Sequence, residues 1–370
     1  MNILYDHQVF SLQDAGGASR YYFELLKCFA NIPNIEVQTL IGFNSSVMPL
    51  ASVTSSSIRV RSIRSSIPPG VLRYAANEAL SIACKTFSGR FDIYHSTLYR
   101  FIPTVTARRR FATHHDCVHE RFPQLFRDVK RILRAKRKLF EKADGIICVS
   151  ESSRRDLEEF YGIARDRTRV IHHGFSPLPC CASAEEQLRT ATRREYILFV
   201  GSRAAYKNFP TLLRAFRATE VFKSYDLVTV GGGPFTEAEQ TLFRELEVEE
   251  AVVGIPKASD ALLSAAYGGA TLFVYPSLYE GFGFPPLEAM SRDCPVLVTR
   301  SSSLPEICMD AALYFEQGCE ESLSRELLRS LSDTEAREAA INRGKEIVKL
   351  YSWRRCAEQT LDYYRECLRN

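Results

Sequence analysis

The sequence predicts an α/β protein made of two doubly wound parallel sheets, one in each of two domains, facing a central cleft. Three observations carry this. Short apolar runs alternate with amphipathic stretches of helical period along the chain, the rhythm of βαβ units. At 370 residues and 45% hydrophobic, the chain exceeds what one ordinary core serves and divides into two domains of roughly 150 to 200 residues each. Finally, flexible turns follow three of the predicted strands at the ends where open α/β sheets hold ligands.

In the first half, strands are predicted at NILYD, IEVQTLI, FDIYHS, RRFATHHD, GIICVS and RVIHHG, with helices over 18–30, 124–143 and 151–161. In the second, YILFVGS, DLVTVGG, TLFVYPS and PVLVTRS alternate with helices near 208–219, 236–247, 259–267 and 285–292. The stretch FSPLPCCASAEEQLRTATRRE mixes Pro, Ser, Ala and charge without a strand pattern. It makes 176–195 the linker between a domain over 1–175 and a second over 196–351. The tail is helical; whether its last helix, about 352–370, packs back on the first domain is left open by the pattern.

A quarter of the residues are charged, with both signs mixed, as in a soluble globular protein. The net charge of +4 hides an asymmetry. Residues 1–180 carry 26 Lys and Arg against 16 Asp and Glu, a balance of +10; residues 181–370 carry 22 against 28, a balance of −6. The first half should therefore attract something anionic. Eleven cysteines are scattered without a C-x-x-C pair, and only Cys180 and Cys181 are adjacent. That excludes a disulfide framework and a cysteine metal site from the reading and points to reduced, cytosolic thiols. The opening MNILYDHQVF lacks the basic and long apolar regions of a signal peptide and reads as a buried strand. No stretch is apolar enough to span a membrane.

Three turns carry candidate chemistry. After the first strand, QDAGGASRYYFELL places Gly16 and Gly17 at a helix start, where backbone N–H groups can approach an anion; an ordinary turn reads equally well. In FVGSRAAYKNFPTLL, Arg203 and Lys207 lie between a strand and a helix, where two cations could neutralise a departing diphosphate; exposed loop charges are the bland alternative. In YPSLYEGFGFPPLEAM, Glu280 stands at a strand end and Glu288 on the opening turn of a helix. Each carboxylate can accept several hydrogen bonds from a polyol, and Gly281, Phe282 and Gly283 between them expose backbone N–H groups. A diphosphate site beside a polyol site describes a nucleotide sugar.

With these segments the chain resembles the retaining, family 4 glycosyltransferases of GT-B fold over nearly its whole length. EGFGFPPLE is similar to that family's E-x7-E signature, GSRAAYKN to its phosphate loop and DAGGASRYYFEL to its amino-terminal glycine loop; VSESSRRDL, VIHHG and SSLPEI are also similar. The resemblance implies two Rossmann-like domains, with Glu280 facing the transferred sugar and Glu288 the ribose hydroxyls. It also implies Arg203 and Lys207 on the diphosphate, Gly16 and Gly17 completing that pocket, and His115 near the reacting carbon. It implies no metal and no cofactor beyond the donor itself; His114 and His119 are then structural or acceptor-side. Where members carry a small residue and Gly before PV, this chain has SRDCPV, with Asp293 and Cys294.

The segments YDHQVFSLQDAGGASRYYFELL and HHDCVHERFP most resemble members acting in bacterial surface polysaccharide (O-antigen and capsule) assembly, which implies GDP-mannose as leading donor and a glycan or polyprenyl-diphosphate-linked acceptor. UDP- and dTDP-sugars stay open. In QLFRDVKRILRAKRKLFEKA, Leu125, Val129, Ile132, Leu133, Leu139 and Phe140 lie near one helical face with cations around the rest. Helix 124–143 therefore reads either as a helix on an anionic membrane surface or as a domain helix with a solvated basic back. ARRRF at 107–111 adds to the attraction for anions. The protein is expected in the cytoplasm, peripheral on the inner face of the cytoplasmic membrane. A nucleotide-sugar epimerase is an alternative from another class. So is a nucleic-acid-binding protein, although no aromatic-interleaved basic stripe supports nucleic acid as a partner.

Overall fold

The computed structural model describes residues 1–14, 16–45, 48–83, 90–102 and 105–369. Ala15 of the glycine loop and Cys84 lie outside the described residues; the ten described cysteines are free. The chain forms two compact units, Met1–Gly174 with Tyr351–Asn370, and Phe175–Leu350.

The first unit is a seven-stranded, wholly parallel sheet of β1 (Asn2–Tyr5), β2 (Glu36–Asn44), β3 (Ile58–Arg64), β4 (Arg90–Ser96), β5 (Thr106–His114), β6 (Gly145–Cys148) and β7 (Thr168–Val170), in the order β3-β2-β1-β4-β5-β6-β7. The second is a six-stranded parallel sheet of β8 (Tyr196–Val200), β9 (Asp226–Val230), β10 (Val252–Ile255), β11 (Leu272–Tyr275), β12 (Val296–Thr299) and β13 (Ala312–Phe315), in the order β10-β9-β8-β11-β12-β13. Both are doubly wound α/β sheets. Their inner strands are buried on both faces, which is why ILFV, LVTV and LFVY read as unbroken apolar runs. Ile197, Phe199, Leu227, Leu272 and Val274 pack with Phe209, Leu212, Leu213 and Phe216 of helix Phe209–Ala218 in the core of the second unit.

Three strands go beyond those predicted, and all are edge strands. β3 buries only Ile58 and turns Arg59 and Arg61 outward, so it reads as a basic loop; β10 and β13 are four-residue strands with half-buried faces. The expected linker also differs. Helix Ala182–Ala191 forms inside it and packs against helix Asp260–Gly269, leaving 175–181 as the stretch before it. Its only buried residues, Ala184 and Leu188, lie one turn apart and are too few to show a helical period in a polar segment.

The basic helix of the first unit is split into a 3-10 turn, Pro123–Leu125, and a helix, Val129–Lys142. The helix buries Leu139, Phe140 and one of its own cations, Lys136, whose ammonium donates to Glu120 at 3.0 and 3.1 Å and to the Asp116 carbonyl at 3.0 Å. Its remaining cations, among them Arg131, Arg134 and Lys138, are exposed. The arginine cluster 108–110, read above as a lure for anions, is occupied within the unit. Arg109 donates to the Cys367 carbonyl at 2.7 Å, Arg108 lies 3.3 Å from Asp92, and Arg110 rests 5.7 Å over the Phe101 ring. Among the described residues, no helix is long and apolar enough to cross a membrane.

The final helix, Trp353–Arg369, belongs to the first unit and packs on helix Gly17–Phe29. Tyr364 reaches the buried end of β1, its hydroxyl 2.9 Å from that of Tyr5, and also meets His95 Nδ1. Gly174 makes this docking possible, because a Cβ there would stand 2.2 Å from the Trp353 backbone nitrogen. Gly174→Ala should therefore overpack the contact and cost roughly 1 to 3 kcal/mol. The expected result is a lower melting temperature and faster proteolysis of the carboxyl-terminal helix.

Candidate active site

The second sheet reverses its winding at β8. The chain runs outward through β9 and β10, then returns to β11 on the other side of β8. Loops leave the carboxyl ends of β8 and β11 there, the usual ligand position of such sheets. The loop after β8 carries Arg203 and Lys207, and the loop after β11 carries Glu280 to Gly283.

Lys207 ends a 3-10 turn, Ala205–Lys207, and Asn208 follows at φ +56°, a left-handed residue that starts helix Phe209–Ala218. The Lys207 ammonium donates to Glu280 Oε1 at 2.5 Å and to the Tyr275 hydroxyl at 2.8 Å, with both side chains of the ion pair about seven-eighths buried (12% and 14% exposed). Burial works against the Lys207 charge, but Glu280, Tyr275 and Tyr206 outweigh it and hold the ammonium pKa above its ordinary value. Burial pushes the Tyr275 phenol well up as well.

The β11 loop is held rigidly in place. The Leu278 N–H donates to the Tyr206 carbonyl at 2.8 Å and Gln317 to the Leu278 carbonyl at 2.7 Å. The Glu280 N–H donates to Ser302 Oγ at 2.9 Å, while the Ser303 hydroxyl donates to the carbonyls of Glu280 and Phe282 at 2.9 and 2.8 Å. Gly283 turns the chain into helix Phe284–Met290 at φ +108°, where a Cβ would also meet Leu304 at 2.9 Å. Glu288 is buried on that helix and accepts a 3.0 Å bond from the Tyr267 hydroxyl.

Arg203, expected on a diphosphate, is held by partners within the second unit. Its guanidinium pairs with Glu239 and donates to the carbonyls of Gly231, Gly233 and Pro234 at 2.8, 3.0 and 2.9 Å. The SRDC turn places Asp293 at φ +57°, a conformation glycine adopts freely, and Lys345 lies 3.3 Å from its carboxylate. Sequence reasoning gave no role to Tyr275, Ser302 and Ser303, although it quoted their segments, and passed over Tyr267 and Glu239. Tyr275 ends a predicted strand beside Glu280, and Glu239 stands in a T-x-x-E capping pattern; those were the available signals.

The other candidates belong to the first unit. Gly16 precedes helix Gly17–Phe29 in extended backbone, φ 165°, so its conformation does not demand glycine. Beside it, Asp14 pairs with Arg73 at 2.6 Å. His115 follows β5, with its ring 5.6 Å from His173 and 5.5 Å from Tyr21, and its Nε2 is buried with no hydrogen-bond partner among the described residues. His114 packs edge-on to Phe140, and His119 lies 4.2 Å from the Phe126 ring. Among the described residues, no group of three or more His, Cys, Asp or Glu side chains could hold a metal ion.

Two family models match the chain, one described as Glycosyltransferase Family 4 over residues 15–177 and one as Glycosyl transferases group 1 over residues 183–347. The O-antigen chain mannosyltransferase B of Escherichia coli is 30% identical over 284 residues, covering 74% of each chain. Among solved structures, sucrose-phosphate synthase from Thermosynechococcus elongatus is similar at TM-score 0.78 and 19% identity, covering 99% of this chain and 98% of that one. Anabaena HepE, solved with UDP and glucose, is similar at TM-score 0.75 and 17% identity, covering 99% and 100%. These likenesses show the shared GT-B fold.

The buried histidines predict the pH response of the first unit. Burial lowers His95 and His114 to about 3 and His115 to about 4, from an ordinary 6.5. Between about 6.5 and 4 the unfolded chain therefore binds protons that the folded unit refuses, so stability falls as pH falls, by up to about 1.4 kcal/mol per pH unit for each fully buried ring. Urea midpoints measured from about pH 7 to about pH 5 should drop accordingly, and His95→Gln should remove roughly one proton of that dependence.

Proposed function

We propose that this chain, which belongs to the family 4 glycosyltransferases, moves mannose from GDP-mannose onto a lipid-linked or polysaccharide acceptor in cell-surface glycan assembly. The observation that carries the mannosyl reading is the match to an O-antigen mannosyltransferase over three-quarters of both chains. The site supports the transfer chemistry. Lys207 sits at the switch point, where it can meet the diphosphate as the glycosyl bond breaks and negative charge gathers on the leaving oxygen. Glu280 faces the transferred sugar and Glu288 the ribose, where carboxylates suit hydroxyl donors. Within the first unit, Gly16 and Gly17 offer backbone N–H groups to an anion and His115 a neutral ring.

Transfer proceeds with retention and without a metal ion. The acceptor oxygen attacks the anomeric carbon on the face the diphosphate leaves, and the departing phosphate oxygen takes its proton. No side chain is then needed as nucleophile. The exposed cations of helix Val129–Lys142 suit the anionic membrane surface that presents a polyprenyl-diphosphate acceptor. Vesicle binding that requires anionic lipid and vanishes at high salt is the expected result, and binding to neutral vesicles alone would remove this element.

Two measurements test the donor site. In a thermal-shift panel of GDP, UDP, dTDP and their sugars, GDP and GDP-mannose should raise the melting temperature most; larger shifts with UDP or dTDP compounds would move the donor to that class. Lys207→Ala should abolish the shift and lower transfer about 100-fold or more, the scale for losing one buried electrostatic partner of a developing charge. Radiolabelled sugar found on the acceptor separates transfer from epimerisation of the free donor.

A further inference from the structure

We infer that Lys136 is a positioning residue for His115, its buried ammonium pinning the turn that carries this histidine from β5 into helix Val118–Arg121. The inference rests on the donor-site reading of His115 given above. Lys136 is the one cation that helix Val129–Lys142 buries, and its side chain and that of Glu120 are 6% and 3% exposed. Three acceptors match the three N–H donors of the ammonium: the Asp116 carbonyl at 3.0 Å and the two oxygens of Glu120 at 3.0 and 3.1 Å. Tyr161 donates its hydroxyl to the same carboxylate. Burial opposes a charge here, but Asp116, Glu120 and Tyr99 more than offset it, and the Lys136 pKa stands above its ordinary value.

The clamp acts where His115 has least else to hold it. β5 ends at His114, between β4 and β6, and His115 is the next residue. Lys136 grips the residue after it and a side chain of the short helix that follows, so one ammonium ties the exit of the strand to that helix. Asp116 Oδ1 accepts from the Val118 N–H at 3.1 Å and closes the turn from its own side. The His115 ring has no such bond at Nε2, which is buried without a partner among the described residues. It rests on Tyr21 and Tyr22 of helix Gly17–Phe29, with centroids 5.5 and 6.3 Å away, and on His173 at 5.6 Å. Such ring contacts are weakly directional, so the backbone of the turn sets where the ring stands. A buried ion pair is a costly fastener when a well-packed apolar pair often stabilises as well. What it adds here is direction, three bonds from one atom that fix the Asp116 carbonyl and with it the His115 backbone.

Donor turnover by the full chain tests this, read as GDP release from GDP-mannose and UDP release from UDP-glucose. Removing Lys136 alone would strand a buried carboxylate, so Lys136→Met is combined with Glu120→Gln, which removes both charges and keeps an acceptor for Tyr161. This pair variant should lose about 10- to 100-fold in kcat, the scale of a misplaced group near the chemistry, with the donor KM within about twofold of wild type. In a His115→Ala background the same pair should change kcat by less than about twofold, because both changes act through one ring. Wild-type kcat in the pair variant, or an equal loss in both backgrounds, overturns the inference. Glu120→Gln alone keeps the Asp116 bond and serves if the pair variant does not fold. It should show a smaller loss of kcat that is absent from the His115→Ala background, and full activity would sink the inference. Wild-type turnover by His115→Ala instead removes His115 from the donor site, and the role of Lys136 falls with it. If neither donor is turned over, NMR of ring-labelled histidines decides. The His115 signal, identified by its loss in His115→Ala, should move in the pair variant while that of His7, bonded to Ser11 and Glu78, stays; an unmoved His115 signal refutes the positioning role.

Discussion

The ion pair of Lys207 with Glu280 ties together the two loops that leave the switch point of the second sheet. Burying two opposite charges is costly unless each finds further partners. Here Tyr275 supplies one to the ammonium, and the backbone on either side of Glu280 is fixed by Ser302 and Ser303. The pair thus depends on residues from the carboxyl ends of three strands, β8, β11 and β12. Such a cluster does not relax freely when a ligand arrives, which is the condition for electrostatic stabilisation without reorganisation.

The first unit solves a different problem. Its excess of positive charge suggests a strongly basic surface, yet part of that charge is spent inside. Arg73 is fully buried on Asp14, Lys136 on Glu120, and Arg109 holds the final helix. What remains for a partner is narrower than a charge count implies and includes the exposed back of helix Val129–Lys142. The same unit buries several histidines as neutral rings among tyrosines, with His95 bonded to Thr113 and Tyr364. They pack and orient, and their burial makes the unit sensitive to acid.

Legibility in the sequence followed burial. Inner strands such as β8 and β11, apolar on both faces, were plain from composition. β3, β10 and β13 were not, because an edge strand hides one side or less and its residues read as loop. The same holds for helix Ala182–Ala191, whose two buried positions are lost among charged neighbours. Lys207 and Glu280 were read beside strand ends and Glu288 on a helix, and they lie there. Arg203 was read by the same rule, but its position beside Lys207 says nothing of the glycine turn and Glu239 that receive it.

The order of apolar runs, the glycines at strand ends and the E-x7-E spacing are local properties, so the sequence by itself determined two parallel α/β sheets and where along them the candidate residues lie. Which charges are spent within the protein was decided only by tertiary structure. A guanidinium or ammonium reaches several ångströms from its own backbone, and its partner, whether Glu239, Glu120 or Glu280, comes from a distant stretch of chain brought near by the winding of the sheet.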